Sequence, residues 1–214
     1  MSLHKEFLII QPRDHFWVDI YHLMNSIVQP RPIAWISSVS RDGVHNLSPF
    51  SYFNICSMNP PIVSNSIFFN RDGSEKDTLR NIKATRNYVV GAVSHETAPK
   101  ANLTSAPFGP DVDEFVEAGV QFMDRGPGLP RFIAESPVQL VCELRQTVPL
   151  GEGAGVGTLV LGEVKEIHLS RGLNPDGWRK GIPPHLLDNV GRMGADYYAR
   201  TTDIFQMERP VVKK

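Results

Sequence analysis

From Pro32 to Phe53 the chain reads PIAWISSVSRDGVHNLSPFSYF, two β-forming runs on either side of Asp42-Gly43. Val, Ile and aromatic residues suit a pleated surface, and Asp-Gly between two such runs is a hairpin signal because glycine accepts the positive φ of a tight turn. Pro32–Ser40 and the run from Val44 are therefore expected to be antiparallel neighbours. Pro49 and the clustered rings after it suggest that the second strand ends or bulges there. Further strands are expected in PPIVSNSIFF (Pro60 to Phe69) and YVVGAVS (Tyr88 to Ser94). PVQLVCELRQTVPL (Pro137 to Leu150) places Val138, Leu140, Cys142 and Leu144 on one face. GTLVLGEVKEIHLS (Gly157 to Ser170) does nearly the same with Leu159, Leu161, Val164 and Ile167, and Gly162 marks a bulge. Six strands in 214 residues predict a mainly β barrel or sandwich with flanking helices.

One helix is marked clearly. SEKDTLRNIKATRN opens on Ser74, a residue suited to an N-cap, has Asp77 three positions later, and carries Leu79 and Ile82 on one face. HETAPKANLTSA and DEFVEAG predict short helical turns. The segments Gly126 to Pro130 and Asn174 to Pro184 are expected to be surface loops, and no internal repeat is present. The length predicts one domain over residues 1–214, with a core at about 25–170 and a C-terminal extension at 171–214.

Composition removes several function classes. Basic and acidic residues number 22 and 23, a net charge of −1, so no electrostatic case for nucleic acid exists. Cys56 and Cys142 lie far apart without CxxC spacing, which predicts two buried free thiols rather than a disulfide framework or a zinc site. The seven histidines form no HExxH motif and no i, i+4 pair, and no metal site is expected. The N-terminal apolar run covers four residues, Phe7 to Ile10. That is too short for a signal peptide, and no stretch is long enough to span a bilayer, so a cytoplasmic setting without membrane contact is the expectation.

The motifs that carry chemistry are few. GEGAGVG (Gly151 to Gly157) has the glycine content of a phosphate loop, but its glycines fall at every second position and a strand follows, so a hairpin loop is expected. No GxSxG elbow supports a hydrolase. In RDGSEKDTLRNI a turn delivers the chain to a helix N-terminus, where Ser74, Lys76 and Thr78 supply two hydroxyls and an ammonium. These are the parts of a phosphate site, or else of an ordinary capped surface helix. In NLSPFSYFN, serines alternate with rings, which suits either a platform for a planar heteroaromatic ligand or an aromatic barrel core with incidental serines.

Together RPIAWISSVSRDGVHNLSPFSYFNICSMNPPIV, KDTLRNIKATRNYVVGAVS, NLTSAPFGPDVDEFVEAGV and AESPVQLVCEL closely resemble the flavin reductase-like, FMN-binding split-barrel family that includes flavoredoxin. The resemblance runs from about Arg31 to VGRMGADYYARTTDIF. It implies a six-stranded, Greek-key-like split β-barrel with flanking helices, usually a homodimer, and FMN as cofactor, with FAD the alternative. It implies that Asn46, Ser48, Ser51, Tyr52 and Phe53 lie along the isoalloxazine and that Ser74, Lys76 and Thr78 hold the phosphate. Trp35 and Ser37 would pass the ribityl chain, and Asn102 and Ser105 would approach the flavin. The implied activity is hydride transfer from NAD(P)H to flavin N5, which needs no side-chain acid, base or nucleophile because the chemistry belongs to the cofactor. A non-enzymatic FMN-bound electron carrier for a redox partner protein, or a flavin store, is the rival. Tyr197, Tyr198 and Phe205 are expected to line the dimer contact.

Overall fold

The computed structural model describes residues 7–153, 155–173 and 177–212. The chain runs through α1 (Trp17–Ile27), β1 (Arg31–Pro32), β2 (Ala34–Val39), β3 (His45–Phe50), β4 (Phe53–Met58), β5 (Pro61–Phe68), α2 (Asp77–Thr85) and β6 (Asn87–Ala92). It continues through α3 (Ala98–Leu103), α4 (Glu114–Glu117), β7 (Phe122–Met123), β8 (Phe132–Ile133), β9 (Val138–Pro149) and β10 (Gly157–Leu169), and ends with α5 (Pro184–Leu187), β11 (Val190–Arg192) and β12 (Tyr198–Arg200). The Asp42-Gly43 turn behaves as expected, with Gly43 at φ +86° and β2 paired to β3 from Ala34↔Phe50 to Val39↔His45.

Seven strands form the main sheet, in the order β3-β2-β6-β9-β10-β5-β4. The expected count was six. The seventh arises because the run after Asp42-Gly43 is two strands, β3 and β4, separated by Ser51 and Tyr52. These two strands occupy opposite edges of the strand order. In a flat sheet the edges would stand about 29 Å apart, six strand spacings, whereas the step from Phe50 to Phe53 reaches about 11 Å at most. The sheet therefore curls until its edges approach, and Ser66 N donates to the Tyr52 carbonyl at 2.9 Å, extending the β4–β5 ladder into the connection. The result is a split β-barrel. Residues of β11 pair with β1 and β12 in a separate three-stranded sheet that ties the C-terminal segment to Arg31 and Pro32.

The barrel interior holds Ala34, Ile36, Val63, Ile67, Tyr88, Cys142 and Val160. Leu79 and Ile82 of α2 pack into the same cluster, so the predicted apolar face of that helix plugs the barrel. A second cluster of Trp35, Leu47, Phe115 and Ile133 packs with Ala101 of α3.

Three expectations need correcting. The helix begins at Asp77 with Lys76 in the N-cap position and no side-chain cap. Ser74 is held in the preceding turn instead, its backbone N–H and its hydroxyl both donating to Asp72 Oδ1 at 2.9 and 2.6 Å. Cys142 is buried but Cys56 is exposed, because β4 is an edge strand with most of its residues in solvent. An N-terminal helix, α1, precedes the barrel where no element was expected. The loop expected from Asn174 to Pro184 lies in part outside the described residues. Among the described residues no helix is long and apolar enough to cross a membrane.

Gly162 sits at a shift in the β9–β10 register between Leu161 and Gly162, as expected of a bulge. A Cβ there would lie 1.7 Å from Tyr88 Oη and 2.6 Å from its Cζ, and Tyr88 is wholly buried. Gly162→Ala should therefore lower the unfolding free energy by about 1–3 kcal/mol, read as a lower urea midpoint at unchanged slope. A midpoint equal to the wild type would show that Tyr88 moves aside freely.

Candidate functional site

A cavity of about 750 Å³ lies between α1, the Pro30–Pro32 segment and the Ser51–Asn54 connection that closes the barrel. Trp17, Tyr21, Tyr52, Phe53 and Phe68 contribute rings to its walls. The Tyr52 and Phe68 rings meet edge to face with centroids 4.9 Å apart, Tyr21 meets Phe68 at 6.5 Å, and Trp17 lines the α1 side. Gly155 also reaches the wall, and a Cβ on it would lie 2.6 Å from Trp17 Cε3. The glycine-rich loop between β9 and β10 is thus a hairpin loop, as expected, whose small residue lets α1 approach.

Polar groups enter this wall at a few defined places. Asn25 is the buried residue of α1, and its Oδ1 accepts a hydrogen bond from Tyr52 Oη at 2.8 Å. Burial pushes the Tyr52 phenol above its ordinary range. The Arg31 guanidinium, itself buried, donates to the carbonyls of Asn25 and Val28 and, more weakly, from Nε to Ser51 Oγ at 3.4 Å. A planar ligand could therefore stack on rings while hydroxyl and guanidinium groups meet its polar edge.

The sequence-predicted residues divide into several groups. Ser51, Tyr52 and Phe53 line the cavity. Phe53 also packs against the barrel core, as does Phe50, so both readings of this stretch have a place in the structure. Ser48 lies on β3 opposite Ile36, half-buried. Asn46 and Thr78 are brought together inside the protein, where Thr78 Oγ1 donates to Asn46 Oδ1 at 2.6 Å and Asn46 Nδ2 donates to Glu114 Oε1 at 2.8 Å. Ser38 and Asn81 extend the same network. The Thr78 hydroxyl is thus turned inward. Trp35 is wholly buried in the second cluster with its indole N–H donating to Thr104 Oγ1 at 3.0 Å, and Ser37 is buried with its hydroxyl unpartnered among the described residues. Ser74 and Lys76 stand at the approach to α2. Asn102 and Ser105 stand at the end of α3, where Asn102 Oδ1 accepts from Tyr198 Oη at 3.1 Å.

Sequence reasoning passed over Arg31, Asn25, Phe68 and Trp17. A signal existed for the first. An arginine between two prolines, directly before a strand of buried residues, is a charge that the fold must house. Among the described residues no group of three or more His, Cys, Asp and Glu side chains is arranged to hold a metal ion.

A family model described as flavin reductase like domain matches residues 24–194. A protein of Aquifex aeolicus (strain VF5), described as uncharacterized, is 34% identical over 85% of this chain and 89% of its own length. Among solved structures, nitrilotriacetate monooxygenase component B from Bacillus cereus is 29% identical, covers 95% of this chain and 100% of that one, and superposes with a TM-score of 0.87. Flavoredoxin of Desulfovibrio vulgaris (Miyazaki F), 17% identical over 84% of this chain and 91% of its own, shares the fold with a TM-score of 0.69.

Glu114 gives the buried network a pH signature. Its carboxylate accepts from Leu47 N at 2.9 Å and from Asn46, yet burial outweighs these donors and lifts its pKa above the ordinary 4.5. A folded-state value above the unfolded one means that between the two the folded protein holds more protons, so this group's contribution to stability falls as pH rises. Compared with Glu114→Gln, the wild type should therefore lose ground steadily as the pH is raised from about 4.5 until the carboxyl has ionised in the folded state. Urea midpoints of both proteins across that range check this, and a constant difference would contradict it.

Proposed function

The chain belongs to the flavin reductase-like family, and from that premise we propose that it is an oxidoreductase that binds FMN against the Ser51–Phe53 connection and reduces it with NAD(P)H. The observation that carries this reading is the cavity wall itself. A volume of about 750 Å³ falls within the range of cofactor sites, and Tyr52, Phe53 and Phe68 offer ring surface beside the Ser51 hydroxyl and the Arg31 guanidinium. Bound flavin supplies the acceptance of hydride at N5 and its release as electrons to an acceptor. The protein's own part is to position the ring on apolar surface, to keep water from it and to donate hydrogen bonds to its polar edge. Ser51 and the neighbouring backbone N–H groups take that last role.

Lys76 and the first N–H groups of α2 are proposed to hold the phosphate. They lie outside the lining of the large cavity, and their support is the family resemblance together with the charge and helix N-terminus found there. The Bacillus cereus relative is one component of a monooxygenase by name, which supports transfer of electrons from this chain to a separate redox partner. A homodimer is also proposed. On α1, Trp17, Tyr21, Leu23, Met24 and Ile27 are all exposed, as are Tyr197, Tyr198 and Phe205 of the C-terminal segment, and a second copy would cover apolar surface of this extent. Light scattering at micromolar concentration should return twice the chain mass, and a monomer mass would end this part of the reading.

The cofactor reading is tested by titration with FMN and riboflavin. Ser51→Leu should abolish binding of both while leaving the melting temperature of the flavin-free protein nearly unchanged. Lys76→Ala should weaken FMN by about ten- to a hundredfold, the worth of one charge-assisted contact, and leave riboflavin alone. Unaltered FMN binding in both variants would retire the site. Steady-state NAD(P)H oxidation with added FMN, against a control lacking protein, separates a reductase from a carrier that merely holds flavin.

A further inference from the structure

Arg31 is a buried cation without a buried anion. It is 7% exposed, Nη1 donates to the carbonyls of Asn25 and Val28, both at 2.8 Å, and Nη2 donates to the carbonyl of Met193 at 2.9 Å. Its remaining contact is from Nε to Ser51 Oγ. All four acceptors are neutral. Among the described residues the guanidinium forms no ion pair, and the ionisable groups acting on it are Tyr52, Tyr21 and a second cation, Arg192.

Two of these bonds have a plain structural purpose. Asn25 and Val28 carry carbonyls at the C-terminal end of α1, where unpaired oxygens and the negative end of the helix dipole welcome a donor. The Met193 bond ties that end to the C-terminal segment. Anchoring alone does not call for a charge, because neutral donors satisfy carbonyls without the desolvation that a buried ion incurs. The side chain also stands in the wall of the 750 Å³ cavity, beside Ser51 and Tyr52, with its ring-to-guanidinium distance to Tyr52 at 5.8 Å. There its field reaches whatever the cavity holds.

We infer that Arg31 tunes the flavin held in this cavity by stabilising the single negative charge that the ring carries after taking up two electrons and one proton. This rests on the FMN reading above. The consequence is a protein that holds reduced flavin more tightly than oxidised flavin. Such a preference raises the potential of the bound couple, favours hydride uptake from a nicotinamide donor, and keeps the reduced cofactor in place until an acceptor arrives.

The test uses the full chain under anaerobic conditions, titrated with oxidised FMN and with FMN reduced by dithionite. The wild type should bind the reduced form at least tenfold more tightly, which for a two-electron couple places its potential about 30 mV above that of free FMN. Arg31→Gln should lose that preference and Arg31→Lys should keep most of it. The melting temperature of each flavin-free protein reports the anchoring role separately, since a purely structural arginine would move melting and leave the preference intact. Equal affinities in the wild type, a preference that survives in Arg31→Gln, or its loss in a folded Arg31→Lys would each overturn the inference. The first and last of these hold even if Arg31→Gln does not fold. Binding of neither form would instead fail the FMN reading and carry this inference down with it, whereas binding without preference fails the inference alone.

Discussion

Two residues, Ser51 and Tyr52, join strands that lie at opposite edges of a seven-stranded sheet. Covalent reach sets the shape, because a link this short cannot cross a flat sheet of that width. Curling follows, and with it an interior narrow enough for Ile36, Val63, Ile67 and Val160 to fill from several sides and for α2 to plug. The same link brings Tyr52 against Phe68 and places Ser51 beside Arg31, so the closure of the barrel and the wall of its main cavity are one event. An insertion that lengthened this connection would act on fold and site together.

Polar side chains are treated in two ways around that frame. Ser38, Asn46, Thr78, Asn81 and Glu114 satisfy one another inside the protein and fix α2 and α4 to β2 and β3. A closed network of this kind adds specificity of packing and leaves little donor capacity for a ligand. Elsewhere the Oγ atoms of Ser37 and Ser66 and both amide atoms of Asn65 are buried with no partner among the described residues. Arg31 belongs to neither class, since it donates to four neutral acceptors and forms no ion pair among the described residues.

The strand runs, the Asp42-Gly43 turn, the Gly162 bulge and the apolar face of α2 were legible because each is encoded within a few neighbouring residues. The end of β3 just after Pro49 was legible too, but the start of β4 at the far edge of the sheet was not. Phe50 and Phe53 both pack against the core, so the apolar pattern on either side of the break does not say that the chain has crossed from one sheet edge to the other. Ser74 has the side chain of an N-cap, but Asp72 and Gly73 before it make a turn that captures its hydroxyl first. For the candidate site, the resemblance pointed to Ser51, Tyr52 and Phe53, which line the cavity. Arg31 stayed hidden because its partners include a carbonyl 162 residues away, a contact that local reasoning does not reach.

That distant contact also bears on how the C-terminal segment takes part. Beneath Val190 and Gly191 lies a second cavity of about 370 Å³, and Phe53 and Arg31 line both it and the larger one. The segment that pairs β11 with β1 therefore roofs one space while Met193 fixes the arginine that faces the other. Gly191 permits this closeness, since a Cβ on it would lie 2.7 Å from Pro30 Cβ. The C-terminal extension thus reaches the site through Arg31, which pairs with Arg192 in the returning strand, donates to the Met193 carbonyl and meets Ser51 at the closing link.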